Sequence, residues 1–326
     1  MTRALPTYAD ILAARDRLAP YVVRTPLLSH PVLDQRAGGR VLLKAESFQR
    51  VGAFKFRGAY NAIAQIDRTA APGGVVACSS GNHAQGVAAA ATLCGMPSAI
   101  VMPADAPRLK VERTRAFGGE VVFYDRKTED RDAIALALCA ERKAAFVHPF
   151  DDPHVIAGQG TVGLEIVEQC RLMGFVPDAV AVCCSGGGLA SGTALAVRHA
   201  CAAAEIYAVE PAGFDDFRRS LESGRRETNA QMSGSICDAL MAPSPGEIPF
   251  AIAREHLRGS LVVTDDEARQ AIRFAFHELK LVLEPGGAVA LAAILQGRLE
   301  TKSRITVAVL SGGNVDPAEF ARYIAD

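Results

Sequence analysis

The feature that most constrains the fold is a repeated alternation of short β-rich runs with helix-like segments. The first set of runs lies at 75–78, 99–102 and 121–124, each followed by an Ala-rich or charged amphipathic segment, with a fourth candidate at 145–147. A second set lies at 179–182, 206–209, 261–263 and 305–310. This alternation predicts βαβ units. We therefore expect an α/β protein with two open, mostly parallel twisted sheets flanked by helices, and ligand-binding loops at the carboxyl ends of the strands.

The chain length and two local patterns add to this prediction. A chain of 326 residues is long enough for two domains at about 150 residues each. Thr7 and Asp10 have the spacing of a capping box, which predicts a first helix over residues 8–18. The stretch 223–249 is rich in Gly, Ser, Pro and Arg, and we expect it to be irregular surface or a mobile flap.

Composition excludes several classes of protein. Lys and Arg total 35 against 36 Asp and Glu, and Trp is absent, so nothing indicates a nucleic-acid partner. No signal-peptide pattern opens the chain, and no apolar run approaches the roughly 20 residues that span a bilayer. We expect a soluble, cytoplasmic protein with a small-molecule partner. The eight cysteines show no CxxC spacing and are predicted to be buried apolar residues rather than disulfides or zinc ligands.

One lysine has a setting suited to covalent chemistry. Lys55 lies between Phe54 and Phe56, with Arg57 close by and glycines on both sides. Apolar packing and a neighbouring cation both lower the pKa of a lysine, and the free amine is the form that makes a Schiff base. On its own, the pattern is equally met by a surface lysine whose stem packs on an aromatic ring.

Three further loops follow predicted strands. Residues 79–83, Ser-Ser-Gly-Asn-His, open a predicted helix and suit a carboxylate; the alternatives are an ordinary capped turn or, less favoured, a Ser-His hydrolase pair. Residues 184–192 contain three successive glycines without the end of a Walker A loop, which favours phosphate binding over a mere tight turn. Residues 311–314, Ser-Gly-Gly-Asn, close the last strand, where Ser311 is either a ligand of a ring nitrogen or a turn residue.

In this order the motifs resemble the fold-type II pyridoxal 5'-phosphate (PLP) enzymes, in particular the serine/threonine dehydratase and serine racemase family, and the pattern is closest to its 3-hydroxyaspartate dehydratases (ammonia-lyases). The resemblance runs from about residue 20 to the C-terminus and includes residues 154–161 and 284–288. It implies a two-domain, tryptophan synthase β-like fold. The large PLP-binding domain would comprise 1–71 and 149–326, and the small mobile substrate domain 72–148. A homodimer is the family expectation.

The resemblance also implies a role for each motif residue. Lys55 would hold PLP as a Schiff base, Phe54 would pack on the ring, Asn82 would bond the phenolic oxygen and Ser311 the pyridine nitrogen. The phosphate would be bound by Ser185, Gly186, Gly187, Gly188 and Leu189. The substrate carboxylate would be bound by Ser79, Ser80, Gly81, Asn82 and His83. Ala53 and Ser185 depart from the commoner Ser and Gly of the family, but both are small.

The implied reaction is β-elimination from a small hydroxy amino acid, with Lys55 as the base at Cα and a keto or imino acid plus ammonia as products. Ser80 would serve the opposite face of Cα in racemisation. Arg131 would pair with a β-carboxylate, which favours 3-hydroxyaspartate, giving iminosuccinate or oxaloacetate; a solvated helix residue is the alternative. L-serine or L-threonine dehydration and serine racemisation are the alternative activities.

Glu210, the carbonyl of Phe214 and Asp216 resemble the divalent-cation site of the racemase branch and suit Mg²⁺ or Ca²⁺. The alternative is a solvated acidic loop. Two other functions compete with elimination: β-replacement by a synthase, and a non-catalytic phosphate- or nucleotide-binding protein. Because the chain ends about a dozen residues after Asn314, we expect a catabolic enzyme without an added regulatory domain.

Overall fold

The structure, a computed structural model, describes residues 4–325. The helices are α1 Tyr8–Leu18, α2 Pro31–Ala37, α3 Lys55–Ile63, α4 Asn82–Leu93, α5 Arg108–Ala116, α6 Arg131–Arg142, α7 Pro153–Leu172, α8 Gly188–Ala200, α9 Asp216–Ser223, α10 Glu247–His256, α11 Asp265–His277, α12 Pro285–Leu295 and α13 Pro317–Ile324. The strands are β1 Leu27–Ser29, β2 Arg40–Ala45, β3 Val75–Cys78, β4 Ser98–Pro103, β5 Glu120–Tyr124, β6 Ala145–Phe146, β7 Ala179–Cys183, β8 Glu205–Pro211, β9 Gly259–Val263 and β10 Ile305–Leu310. Within residues 4–325, no helix combines the length and the apolar character needed to cross a membrane.

The strands form two sheets. The larger has the order β1-β2-β10-β7-β8-β9, and the smaller has the order β5-β4-β3-β6. Among the described strands, β1 and β2 pair antiparallel and the other neighbouring pairs are parallel. The central strands β7 and β10 are buried along nearly their whole length, as expected for parallel strands covered by helices on both faces. The predicted fold class is confirmed.

The four strands of the smaller sheet all fall between residues 75 and 146, inside the segment 72–148. The domain boundaries themselves stay a prediction, and residues 1–3 and 326, which the large-domain assignment includes, lie outside the described residues. Helix α3 packs on both α4 and α7, so the segment that begins with Lys55 contacts elements on either side of the proposed boundary.

The structure agrees with two local predictions, the first helix and the buried cysteines. The first helix occupies Tyr8–Leu18, and Thr7 and Asp10 form the predicted capping box. All eight cysteines are free, and six of them are buried, as predicted for small apolar residues.

Strands β1 and β2 are absent from the sequence prediction. β1 has only three residues and no alternation, while β2 carries Lys44 inside a buried run. Lys44 is fully buried because its ammonium is matched by the Glu165 carboxylate at 2.5 Å. A charge in an apolar run argues against a buried strand in sequence, and only the distant partner removes that objection.

The stretch 223–249 is irregular through Gly246 apart from the 3₁₀ turn Asp238–Leu240, but α10 already begins at Glu247. The expectation of a surface flap is wrong for Asn229, Cys237 and Leu240, which are buried. Asn229 is held because its amide donates to the Asp216 carboxylate at 2.6 Å and to the Ala242 carbonyl at 2.8 Å.

Candidate active site

The lysine segment is joined by backbone pairing to the loop that follows β10. Phe54 N donates to Ser311 O at 3.1 Å, and Gly313 N donates to Gly52 O at 3.0 Å. Between these bonds, Ala53 and Gly312 form an isolated antiparallel bridge. Lys55 and Ser311, far apart in the sequence, are therefore brought to the same end of the larger sheet.

Lys55 is the first residue of α3, and its Nζ donates to Pro149 O at 2.8 Å. The ammonium lies 5.2 Å from the centroid of the Phe54 ring. Burial lowers the pKa of Lys55 to about 8 from its ordinary 10.5. The free-amine form is thus far more populated near neutral pH than for a lysine in water.

Of the two predicted causes of this lowered pKa, apolar packing agrees with the structure and the neighbouring cation does not. The expectation that Arg57 depresses it is wrong, because the Arg57 guanidinium is turned away into a buried cluster. Its nitrogens are bound by Glu46 at 2.8 Å and by Glu165 at 2.7 Å. Desolvation of Lys55, and not a neighbouring cation, lowers the pKa.

Asn82 begins α4 on the smaller sheet and bonds two residues of the larger domain. Its Nδ2 donates to Glu284 Oε1 at 2.6 Å, and its Oδ1 accepts from Asn314 Nδ2 at 2.8 Å. Burial, with a further contribution from the nearby Asp238 charge, raises the pKa of Glu284 to about 7. Glu284 and Asn314 had no assigned role in the sequence analysis, although both stand in motifs that it singled out.

Part of the backbone of the loop 79–83 is available for an anion, whereas Ser79 N already donates to Val101 O at 3.2 Å. Ser79 Oγ accepts from Gly81 N at 3.1 Å, and Ser80 and Gly81 are partly exposed. His83 is buried, with Nε2 3.0 Å from Val147 O, and burial together with Lys55 lowers its pKa to about 3. Since His83 faces a carbonyl, the structure does not form the Ser-His pair of a hydrolase.

The glycine loop leads into α8, whose N-cap Gly187 has φ 94° and whose first turn carries no side-chain cap. A Cβ at Gly186 would lie 2.3 Å from the Phe150 ring, and one at Gly187 would lie 2.4 Å from the Phe217 ring. Packing therefore requires glycine at both positions. Leu189 is buried in the core, so only its backbone N–H is suited to an anion. The open helix N-terminus fits a phosphate.

Ser311 is buried at the end of β10, beside the Cys183 thiol at the end of β7. Burial raises the pKa of Cys183 to about 11, so this residue is an unreactive thiol. Ser185, two residues further on, accepts from Ala242 N at 3.0 Å. The proposed pyridine and phosphate ligands thus lie on loops after neighbouring strands of one sheet.

Arg131 is the first residue of α6, and its side chain is 48% exposed. Its guanidinium lies 3.7 Å from the carboxylate of Asp132. Its carbonyl accepts from the Cys78 thiol at 3.3 Å, and Cys78 directly precedes Ser79. The structure therefore brings the Arg131 backbone beside the loop 79–83, while the side chain stays half-exposed.

The acidic group lies at the end of β8. Glu210 is fully buried and accepts from Phe217 N at 2.8 Å, Arg218 N at 2.9 Å and Ser260 Oγ at 2.6 Å. Asp216 is also buried, and its Oδ2 has no hydrogen-bond partner among the described residues. Burial raises the pKa of Glu210 to about 8 and that of Asp216 to about 6.

A solvated acidic loop does not describe these two carboxyls. Within residues 4–325, no group of three or more His, Cys, Asp and Glu side chains has metal-binding geometry. A cation here would need backbone oxygens in addition, such as the carbonyl of Phe214. The unpartnered Asp216 oxygen fits such an ion.

Taken together, the two sheets and the loops at their carboxyl edges define the class of protein: an α/β enzyme in which a buried amine, Lys55, and an uncapped helix N-terminus lie at the same edge of the larger sheet. More specifically, the chain belongs to the pyridoxal-phosphate dependent enzymes, whose family model matches residues 18–312. The residues present fit that cofactor, since the amine and the uncapped α8 lie on segments joined to adjacent strands.

Comparison with individual proteins narrows the relationship. The chain is 41% identical over 321 residues to L-threo-3-hydroxyaspartate ammonia-lyase of Saccharomyces cerevisiae, covering 98% of this chain and 97% of the relative. It is 37% identical to serine racemase of Schizosaccharomyces pombe, covering 98% of both. Among solved structures, maize serine racemase matches with a TM-score of 0.92 and 36% identity, covering 98% of this chain and 97% of that one.

Proposed function

We propose that this enzyme catalyses PLP-dependent β-elimination of a small β-hydroxy amino acid, with release of ammonia, and that 3-hydroxyaspartate is its preferred substrate. The observation that carries the proposal is the buried Lys55 amine, whose pKa of about 8 suits a base acting at Cα. The ammonia-lyase and racemase names of the relatives support the same chemistry.

The cofactor-binding residues follow from the geometry and the resemblance together. Lys55 would bind the cofactor covalently, and Phe54 would contact the ring. Ser311 and Asn82 would hold the pyridine nitrogen and the phenolic oxygen. The phosphate would be bound by Ser185, Gly186, Gly187, Gly188 and Leu189. When bound, PLP supplies an electron sink for the negative charge that develops at Cα.

The proton step belongs to the lysine. With PLP and substrate in place, the free Lys55 Nζ would remove the Cα proton, and the β-hydroxyl would leave as water by taking up that proton. Desolvation keeps this amine unprotonated at lower pH than an exposed lysine. While it is free, the Lys55 amine donates a hydrogen bond to Pro149 O at 2.8 Å.

The substrate would be held at its two ends. The α-carboxylate would bind on the loop of Ser79, Ser80, Gly81, Asn82 and His83. Because burial keeps His83 neutral, this contact relies on backbone N–H groups and hydroxyls. The β-carboxylate of 3-hydroxyaspartate would pair with Arg131, whose backbone lies beside Cys78 at the start of the loop. Threonine, which has a methyl group there, offers nothing for a guanidinium to bind.

Serine racemisation is the second candidate activity, favoured by the partial exposure of Ser80 beside the cleft. Its hydroxyl would exchange a proton with Cα on the face opposite Lys55. Serine and threonine dehydration remain alternatives for the substrate. Because the chain is an enzyme of the PLP-dependent family, the interpretation as a non-catalytic nucleotide-binding protein is set aside.

The experiment is an ammonia-release assay of the holoenzyme across the stereoisomers of 3-hydroxyaspartate, L-serine and L-threonine. The proposal expects the highest kcat/KM on a hydroxyaspartate isomer. Faster turnover of L-threonine or L-serine would assign the enzyme to the dehydratase alternative. Rapid interconversion of serine enantiomers with little ammonia would favour racemisation.

We also propose a structural Mg²⁺ or Ca²⁺ held by Glu210, Asp216 and the Phe214 carbonyl. Its support is the burial of both carboxyls and the unpartnered Asp216 Oδ2. A homodimer and a cytoplasmic location stay predictions, the first of them open to light scattering of the purified protein.

A further inference from the structure

A buried cluster of four charges lies directly behind the lysine-bearing helix. Lys44 on β2, Glu46 after it, Arg57 on α3 and Glu165 on α7 form it, and the cluster is electrically neutral. Lys44, Glu46 and Arg57 are fully buried, and Glu165 is 13% exposed. None of these four side chains has a role in the proposed reaction.

Arg57 is bound on two sides. Its Nε and one Nη reach Glu46 at 2.8 Å each, and its two Nη atoms reach Glu165 at 2.7 and 3.0 Å. Two bidentate pairs fix a guanidinium in position and in plane, which a single point charge cannot do. The two carboxylates offset the effect of burial, so the pKa of Arg57 lies above its ordinary value.

Arg57 and Lys55 lie about 200° apart around the helix axis. Arg57 therefore holds the back of the first turn of α3 while Lys55 projects from its front. This turn is also anchored by its backbone, since Phe54 N donates to Ser311 O at 3.1 Å and Gly58 N donates to the Gln159 side chain of α7 at 3.1 Å. Its N-cap Phe54 makes no side-chain capping bond, and Val51 and Gly52 just before it have φ values of 59° and 74°.

Helix α7 binds Arg57 directly, and the segment just before it contains the hydrogen-bond partner of Lys55. Glu165 binds Arg57, and Pro149, whose carbonyl accepts from Lys55 Nζ, lies four residues before the start of α7. The two helices touch closely: a Cβ at Gly158 would lie 2.7 Å from Gly58 Cα. A small slide of α3 along α7 would move Nζ relative to Pro149 O.

We propose that Arg57 and Glu165 are positioning residues for Lys55: their buried bidentate pair sets the register of α3 on α7 and thereby the location and desolvation of the lysine amine. The inference rests on the proposed role of Lys55. It goes beyond that role, because it assigns the reactive geometry to residues that touch neither substrate nor cofactor.

The test compares three variants as purified holoenzymes. Arg57→Lys keeps the charge but loses the bidentate grip, and Glu165→Gln keeps an acceptor but loses the ion pair. Arg304→Lys is the matched control, since Arg304, just before β10, pairs with Glu205 and the Asp178 carbonyl and makes no contact with the cluster. Each is measured for thermal stability, for kcat and KM against pH, and for the visible circular dichroism of the bound cofactor.

The positioning role predicts that Arg57→Lys and Glu165→Gln lower kcat by roughly 10- to 100-fold, with smaller changes in KM. The acid-side midpoint of the kcat profile should move upward, because a displaced amine is better hydrated and its pKa returns toward the ordinary 10.5. The visible dichroism should weaken. Arg304→Lys should lose thermal stability without these changes.

The proposal is overturned if Arg57→Lys or Glu165→Gln loses stability as the control does but keeps the wild-type midpoint and dichroism. Should Arg57→Lys fail to fold, Glu165→Gln alone decides, because Glu165 is the more accessible member of the pair. Borohydride reduction of the wild-type enzyme distinguishes failure of the proposed function from failure of the positioning role. A label away from Lys55 removes the proposed function, whereas a label on Lys55 with unaltered variants removes only the positioning role.

Discussion

At the scale of single residues, Arg131 is the proposed determinant of substrate choice. Its side chain is half-exposed and lies 3.7 Å from Asp132, so it has room to turn toward a ligand on the adjacent loop. We expect Arg131→Ala to lower kcat/KM for 3-hydroxyaspartate. The loss of transition-state stabilisation should be about 1.5–3 kcal/mol, the range for a hydrogen bond to a charged group. Activity on serine should change little.

The matched control for this variant is Arg142→Ala, at the other end of α6, where Arg142 pairs with Glu120. Steady-state kinetics on both substrates gives the answer. Equal losses on hydroxyaspartate and serine would show that Arg131 does not recognise the β-carboxylate.

Glu284 is the second residue with a measurable signature. Its folded pKa of about 7 lies above the ordinary 4.5 because burial and Asp238 disfavour the charge, while the Asn82 amide and Lys110 favour it. The stability from this group is complete below pH 4.5 and is lost as pH rises through about 7. We expect the free energy of unfolding to fall over this window by up to about 1.4 kcal/mol per pH unit.

Replacement of Glu284 by Gln should reduce the measured slope by this amount, while Glu210 and Asp216, whose pKa values are also raised, keep their own contributions. Urea unfolding at a series of pH values measures the change. Glu141→Gln, at an exposed position of α6, serves as the control and should leave the slope unchanged. An undiminished slope in Glu284→Gln would assign the pH dependence to other groups.

Residue roles could be predicted only in part. The neighbours of Lys55 correctly indicated a pKa lowered by apolar packing, but the second predicted cause, the Arg57 cation, is wrong because the fold turns Arg57 toward Glu46 and Glu165. The sequence shows that Arg57 is near Lys55 along the chain. It cannot show that nearby side chains of a helix leave it in different directions, in this case toward a partner more than 100 residues away.

At the scale of elements, the glycine loop before α8 has no space for larger side chains. We expect Gly186→Ala to destabilise the protein by about 1–3 kcal/mol, because its Cβ would overlap the Phe150 ring at 2.3 Å. The loop should also bind the cofactor less tightly, since its N–H groups would be displaced. Thermal unfolding and equilibrium dialysis of PLP measure the two effects.

Gly259→Ala is the control, because nothing lies within 4 Å of the position its Cβ would take. It should behave as wild type in both measurements. Unchanged stability and cofactor affinity in Gly186→Ala would mean that the Phe150 ring moves aside at little cost.

The segment from β8 to α9 gives a prediction for the metal. With Mg²⁺ or Ca²⁺ bound between Glu210 and Asp216, chelation should lower the melting temperature, and adding the ion back should restore it. Asp216→Asn should abolish the response, whereas Asp215→Asn, one residue earlier, should retain it. A melting temperature indifferent to EDTA in the wild-type protein would rule out a stabilising ion.

The strand-helix alternation was sufficient to predict the eight strands from β3 to β10 and the parallel sheets, because most of these strands are marked by apolar β-branched residues. It missed β1 and β2, where a three-residue strand and the buried Lys44 leave no such pattern. It also placed the buried Asn229 and Leu240 on the surface, since composition does not reveal the side-chain partners that anchor an irregular segment.

At the scale of the whole molecule, polar contacts join helices of the smaller sheet to loops of the larger sheet. Asn82 on α4 bonds Glu284 and Asn314, and Lys110 on α5 pairs with Asp238. Motif order along the chain predicted which loops belong to one site, because loops after parallel strands share a sheet edge. The contacts that join the lobes were not predictable, as they depend on how the two sheets face each other.

The central claim is that Lys55 is the residue that holds the cofactor and acts at Cα. Its most direct test is reduction of the holoenzyme with borohydride, followed by proteolysis and mass spectrometry to locate the pyridoxyl group. The account predicts the label on the peptide that contains Lys55. A label on any other lysine, or cofactor that dialyses away unreduced, would contradict it.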